Sequence, residues 1–374
     1  MIRSTVADVD LDALAHNFRA LAALLEAERP GRAPAILAVV KANDYGHGAA
    51  PVALALERAG ATRLACADIE EAVALRRAGV RTEILVFGAL GVSDLAGLFD
   101  YRLTPTISSP SARRALQQAA AARGVRLRYH LKIDTGMNRL GFRHDQLERT
   151  LPALLASPNL ELVGVYTHFA TADDPEHPLL EEQRLRFERA RTALAGAGAP
   201  PALVHAANSA ALLRDARVWY DLVRPGLLLY GVVPPPLSST LDLRPVLSLR
   251  SRVVAVKGVR YGESVSYGAR FVADHPMRIA VVPAGYADGL DSRLADRGVA
   301  LVGGRRTPIV GALCMDMLMI DVTDVKVEPG DEVVLLGQQG NARLDVREMA
   351  GAAGSIPWEV LCRLGARIER LYSG

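Results

Sequence analysis

The chain has 374 residues, half of them hydrophobic and only 5% aromatic, so Ala, Leu and Val can fill a core for two domains or for a barrel with an appended module. Lys and Arg number 44 against 41 Asp and Glu. The formal charge is +3 with the signs mixed along the chain, which leaves no basic block to grip nucleic acid. Cys66, Cys314 and Cys362 are odd in number and far apart, and read as reduced thiols of a cytoplasmic protein rather than a disulfide framework or a metal knuckle. Residues 1–6 hold no apolar signal core, and no apolar run is long enough to span a bilayer.

In chain order, residues 1–9 contain a weakly alternating stretch that reads as a strand able to join the C-terminal domain. Asp10 then looks like a helix N-cap, followed by Leu11, Leu14, Phe18, Leu21 and Leu25 at helical spacing. From there to about residue 230 short apolar strands alternate with helical segments. The strands are expected at 35–40, 63–67, 84–87, 103–106, 127–133, 162–167, 203–205 and 222–223. Eight such units predict an α/β fold, a (β/α)8 TIM-type barrel over residues 1–236, with its active site at the C-terminal ends of the strands. A doubly wound sheet fits less well, because no G-x-G-x-x-G follows the first strand. Pro234-Pro235-Pro236 and the polar run after it read as a linker. Residues 237–374 then predict a β-rich domain, with strands at 246–256, 277–282, 307–310, 318–322 and 332–336 and a helix at 344–350.

The polar residues of interest follow the expected barrel strands. Lys41 stands where the first strand runs out; lost solvent there lowers an ammonium's pKa towards the nucleophilic amine that a Schiff base with an aldehyde cofactor needs. A surface loop lysine is the plainer reading. His130, Lys132 and Asp134 fall on one side of the fifth strand, which allows either an internal ion pair or a functional face. Arg139 sits in a glycine-flanked loop where its fork of donors could grip a small carboxylate. His168 ends the sixth strand, as many purely structural histidines do. Ser209 is placed to cap the helix after the seventh strand, which would suffice to explain it but also suits a phosphate. Arg224 and Gly226 follow the eighth, matching the barrel habit of holding phosphate after strands seven and eight. Together these favour a phosphorylated aldehyde cofactor.

The segments Ala38-Val39-Val40-Lys41-Ala42-Asn43-Asp44-Tyr45-Gly46-His47-Gly48 and Lys132-Ile133-Asp134-Thr135-Gly136-Met137-Asn138-Arg139-Leu140-Gly141, with Thr167-His168-Phe169, Ala207-Asn208-Ser209 and Arg224-Pro225-Gly226, resemble bacterial alanine racemases in content and order. So do Gly262-Glu263-Ser264-Val265-Ser266-Tyr267-Gly268, Pro283-Ala284-Gly285-Tyr286-Ala287-Asp288-Gly289 and Cys314-Met315-Asp316. The likeness runs from near residue 1 to near 370. It implies a pyridoxal 5′-phosphate enzyme that works as a head-to-tail homodimer on alanine, supplying D-alanine for peptidoglycan.

By that resemblance Lys41 carries the cofactor, and Tyr45, Ser209, Gly226 and Leu227 hold its phosphate. Arg224 meets the ring nitrogen, and His168 and Asn208 pack near the ring. Lys41 and, from the partner subunit, Tyr267 serve as the two bases. Tyrosine is a weak base, and His168 linked to Arg224 is the expected source of cationic help. Arg139 and the partner subunit's Met315 contact the substrate carboxylate. Lys132 matches a lysine that is carbamylated in many family members. One departure stands near the C-terminus, where Trp358 replaces the usual tyrosine; a bulkier indole with one donor predicts altered phosphate anchoring and a tighter entrance. The rival readings are a serine or broad-specificity racemase of the same fold and a non-catalytic barrel that only binds the cofactor. The missing signal segment weighs against the first and the β-domain bearing Tyr267 and Met315 against the second.

Overall fold

The computed structural model describes residues 4–88 and 94–374; the first three residues, where the expected strand 1–9 begins, lie outside them. The first strand, β1 (Val6–Asp10), leads into an 18-residue helix, Leu11–Glu28. Asp10 caps that helix by accepting the Ala13 N–H at 2.8 Å, and Leu14, Phe18, Leu21 and Leu25 lie buried along one face, as their spacing demands. The barrel strands follow: β2 (Ala35–Val39), β3 (Arg63–Cys66), β4 (Glu83–Val86), β5 (Thr104–Ile107) and β6 (Leu127–Asp134). A two-residue β7 (Phe142–Arg143) hangs on β6, and β8 (Leu160–Tyr166), β9 (Leu203–Asn208) and β10 (Leu222–Arg224) complete the set.

The parallel order β5-β4-β3-β2-β10-β9-β8-β6 closes on itself through β5 and β6, with Thr106 opposite His130. The result is the expected eight-stranded barrel with helices between its strands. Closure leaves no sheet edge, and it gathers the C-terminal ends of all eight strands at one mouth.

Beyond the linker come β11 (Leu247–Arg252), β12 (Ala255–Val259), β13 (Ser264–Val265), β14 (Phe271–Val272), β15 (Met277–Val282), β16 (Val299–Val302), β17 (Arg305–Pro308), β18 (Leu318–Asp321), β19 (Glu332–Gln339), β20 (Ala342–Leu344) and β21 (Glu369–Ser373). The largest C-terminal sheet runs β17-β16-β19-β11-β1-β21, so β1 pairs antiparallel with β11 and parallel with β21. A second sheet, β12-β15-β18, lies beside it, and β13 and β14 form a short hairpin.

The segment expected as one strand, 246–256, divides between two sheets. Val253 N–H bonds to Asp331 O and Val254 N–H to Val281 O, and the chain changes sheet at that step. The expected helix at 344–350 starts two residues later, at Val346, because the Asp345 carboxylate accepts the Arg347 N–H at 2.7 Å. A further helix, Pro357–Cys362, was not predicted; six residues are too few for a periodic signal. No helix among the described residues is long and apolar enough to cross a membrane.

Candidate active site

At the barrel mouth β2 stops at Val39, and Lys41 begins a tight turn rather than extending the strand. Ala42, Asn43, Asp44 and Tyr45 all have φ between 51° and 56°, a left-handed turn built without glycine. That conformation costs L-residues about 1–2 kcal/mol each, less for Asn and Asp, and persists only when neighbours hold it. Glu71 of the helix Ile69–Arg77 accepts the Ala42 N–H at 2.7 Å and the Ala67 N–H at 2.8 Å. Asn43 Oδ1 accepts the Ala49 N–H at 2.9 Å, and Tyr45 packs on Tyr230 with ring centroids 4.9 Å apart. At Gly46, also left-handed, a Cβ would strike Leu361 O, so the helix Pro357–Cys362 seats directly on the turn.

Lys41 lies among cations. Burial lowers its pKa first, then Arg139 and Arg224, while Glu71 and Cys362 oppose the shift. Lys132 is pushed down to about 8 by burial and by Arg139 and Arg224. His130, Lys132 and Asp134 share one side of β6, but Lys132 and Asp134 form no ion pair. The Asp134 carboxylate instead accepts the Gly136 and Asn138 N–H groups, each at 3.0 Å, and shapes the loop that carries Arg139.

Arg224 is the most constrained of these groups. Its guanidinium donates to Thr167 O at 2.9 Å and Ala206 O at 2.8 Å, and meets His205 Nδ1 at 3.1 Å and His168 Nδ1 at 3.3 Å. Arginine has no acceptor, so both Nδ1 atoms must be bare. His205 then carries its proton on Nε2 and donates across 2.8 Å to His130 Nδ1. Burial and nearby cations hold all three imidazoles neutral, His130 at about 3 and His168 and His205 well below the ordinary range. Burial lowers Arg224 itself only to about 10, so the cation belongs to the arginine and not to His168. Tyr166 stacks on His205 at 4.7 Å and 10°, and Gly164 leaves room for the His130 ring, 2.4 Å from where a Cβ would sit.

Beside Tyr45 lies a backbone cup formed by Ser209 and Gly226. Asn208, not Ser209, caps the helix Ser209–Arg214: its backbone is extended and its Oδ1 accepts the Ala211 N–H at 2.9 Å. Ser209 is thereby freed to accept the Gly226 N–H at 3.0 Å and the Leu228 N–H at 3.4 Å. A side chain at Gly226 would displace Tyr45, because its Cβ would fall 2.3 Å from Tyr45 Oη. Leu227 is buried beside it.

Tyr267 and Met315 stand apart, on the surface of the C-terminal domain, with 74% and 55% of their surfaces exposed. Their loops meet each other: Ser266 Oγ donates to Ala312 O at 2.6 Å, and a Cβ on Gly311 would strike Val265 O. The motif at 283–289 joins them, with the Tyr286 N–H on Cys314 O and the Ala287 N–H on Met315 O. Trp358 is half-buried against the main core.

Sequence reasoning missed several supports of this site. Glu71 stands 29 residues from the N–H it holds and gives no local signal. Gln183, fully buried, donates to Thr135 Oγ1 and His168 O and so ties two mouth loops together. A buried glutamine inside a helical pattern was the signal available for it. The pairing of His205 with Arg224 could be read only from the closed barrel.

A desolvated lysine, a fixed arginine and a hydroxyl-lined backbone cup at the C-terminal strand ends define the catalytic mouth of a barrel enzyme. Comparison with known proteins narrows the class. Residues 9–234 match the family "Alanine racemase, N-terminal domain" and residues 246–372 match "Alanine racemase, C-terminal domain". The chain is 41% identical to the alanine racemase of Symbiobacterium thermophilum, covering 100% of this chain and 98% of that one. It is 42% identical to that of Carboxydothermus hydrogenoformans, covering 99% and 100%. Among solved structures it is similar to alanine racemase from D-cycloserine-producing Streptomyces lavendulae, with a TM-score of 0.94, 36% identity and coverage of 100% and 98%. It is also similar to the Bacillus anthracis alanine racemase with bound L-Ala-P, with a TM-score of 0.90, 36% identity and coverage of 100% and 96%. The chain belongs to the alanine racemase family.

Proposed function

We propose that this protein interconverts L- and D-alanine with pyridoxal 5′-phosphate bound at the barrel mouth, in a homodimer whose two active sites each take residues from both copies. The observation that carries the reading is the cup of Ser209, Gly226, Leu227 and Tyr45, closed by the same turn that begins at the desolvated Lys41. A doubly charged phosphate needs convergent donors and close backbone approach, and the Gly226 position where a Cβ would meet Tyr45 Oη supplies the second. The donor set therefore fits the cofactor. Lys41 would hold it, the cup would take its phosphate, Arg224 would donate to its ring nitrogen, and His168 and Asn208 would flank the ring. When bound, pyridoxal 5′-phosphate supplies the electron sink that acidifies the α-proton of an attached amino acid.

The protein's own part is to place a base on each face. Lys41, its ammonium destabilised by burial and by Arg139 and Arg224, is suited to hold or release a proton on the D-face. Tyr267 of the partner subunit serves the L-face, and the nearby positive charge it needs is that of Arg224, relayed through the neutral imidazole of His168. Arg139 and the partner subunit's Met315 would meet the substrate carboxylate. Lys132, with a neutral amine accessible near pH 8, can add to CO2 with loss of one proton; the carbamate would place an anion beside Arg139. Three free cysteines favour a reducing compartment, the cytoplasm, and supply of D-alanine to the cell wall is the role adopted.

The test is a yellow, borohydride-reducible chromophore together with polarimetry on L-alanine, L-serine and L-lysine. Lys41→Ala should abolish both colour and racemisation. Tyr267→Phe should keep the colour and slow the L-to-D direction. A colourless wild-type protein, or one that turns over serine or lysine better than alanine, contradicts the reading.

A further inference from the structure

The turn after Lys41 contains a carboxyl group that the proposed chemistry leaves unused. Asp44 is fully buried; its Oδ1 lies 2.6 Å from Tyr230 Oη, and its Oδ2 has no hydrogen-bond partner among the described residues. Tyr230 Oη also lies 3.0 Å from Val39 O, the last carbonyl of β2. A phenol owns one hydrogen, and a carbonyl can only accept. If Tyr230 gave that hydrogen to an ionised Asp44, two acceptor oxygens would face each other at Val39 with nothing between them. An interior carboxylate would also keep one oxygen bare, which is costly. If Tyr230 donates to Val39, the short contact with Asp44 needs a second hydrogen, and only the carboxyl can provide it.

We infer that Asp44 is a neutral carboxylic acid in the folded protein and a positioning residue for the Lys41 turn. Its O–H donates to Tyr230 Oη, Tyr230 donates to Val39 O, and the two bonds lash the left-handed turn to the strand end that Lys41 leaves. Glu71 and Asn43 anchor the turn from its outer side, and Asp44 anchors it from within.

The surroundings agree. Burial pushes the Asp44 carboxyl well above the usual carboxylate range, and the Glu71 carboxylate adds to the effect. The other groups around it are Tyr45, the His47 ring stacked on Tyr230 at 4.4 Å, Cys66 of β3, Cys362 of the helix Pro357–Cys362 and Tyr372 of β21. None is a cation at neutral pH, since burial lowers His47 to about 4. Arg370 of β21 is turned to the carbonyls of Gly46, Leu364, Gly365 and Ile368.

Three measurements on the purified full chain test this. In infrared difference spectra at about pH 7, Asp44→Asn should remove a carboxylic-acid carbonyl band present in the wild type. In urea unfolding, the unfolded chain loses the Asp44 proton above about pH 4 while the folded one keeps it, so this group's contribution to stability falls as pH rises. Asp44→Asn lacks that term, and its stability relative to wild type should rise between about pH 5 and 8. For position, Asp44→Asn keeps a donor towards Tyr230 and should bind pyridoxal 5′-phosphate within about twofold of wild type. Asp44→Ala and Tyr230→Phe should weaken binding roughly tenfold.

No band lost in Asp44→Asn, with parallel pH–stability curves, would overturn the neutral acid. Wild-type cofactor affinity in Asp44→Ala would overturn the positioning role, and Tyr230→Phe carries the same test should Asp44→Ala fail to fold. The affinity arm rests on the function proposed above. The infrared and stability arms do not, and Lys41→Ala reports separately on whether the lysine holds the cofactor.

Discussion

Arg224 shows how one side chain sets the protonation of its neighbours. Because it only donates, His205 and His168 must accept, and His130 receives the proton that His205 has left to give. Lys132 follows from its surroundings in the same way. Its amine is lowered to about 8 because it is buried beside Arg139 and Arg224, so deprotonation and carbamate formation should both increase with pH up to that range. Purging CO2 should lower activity and raise the KM for alanine, and bicarbonate should restore both. Lys132→Ala, which has no amine to modify, should show the defect permanently and ignore bicarbonate. The sequence reveals the chemistry of such residues but seldom their partners. Lys41, Lys132 and Arg224 were legible as cations at strand ends, whereas the histidine relay behind Arg224 depends on three strands meeting in the closed barrel.

At the level of elements, the site is a set of loops held by side chains from elsewhere. The cup formed by Ser209 and Gly226 works because Asn208 takes over the capping role and leaves the serine hydroxyl free. The sequence suggested Ser209 as the cap, since either residue type suits that position; the extended backbone at Asn208 decides it. Gly226→Ala should force Tyr45 out of the cup, because the added methyl would sit 2.3 Å from the phenolic oxygen. We expect about 1–3 kcal/mol of destabilisation and a cofactor affinity at least tenfold weaker, read by urea unfolding and by absorbance titration. Strand-helix alternation was readable along the barrel because each unit has its own period. The division of residues 246–256 between two sheets was not, since Val253 and Val254 continue the same apolar pattern while their N–H groups turn to different neighbours.

Across the whole molecule, two features bear on stability and assembly. Four histidines, His47, His130, His168 and His205, have pKa values lowered by desolvation, so the unfolded chain binds more protons than the folded one once pH falls below about 6.5. Stability should therefore decline on acidification from about pH 6.5 towards 4, and urea midpoints across that range should show it. Asp44 acts with the opposite sign, which is why the asparagine variant isolates it.

The second feature is the set of exposed side chains Tyr261, Tyr267, Tyr286, Met315 and Met317 on the C-terminal domain. So many apolar side chains left in water suit a contact with a second copy, and a twofold contact would deliver the same residues to both barrel mouths. Mixing Lys41→Ala, expected to be inactive, with Tyr267→Phe, expected to be slowed, tests that arrangement. In a heterodimer of Lys41→Ala and Tyr267→Phe one site receives both mutations and the other receives Lys41 and Tyr267 intact. Random reassortment should restore about a quarter of wild-type racemase activity. A mixture shown by mass to contain heterodimers, yet no more active than its parents, would contradict a lysine and a tyrosine working together across the interface.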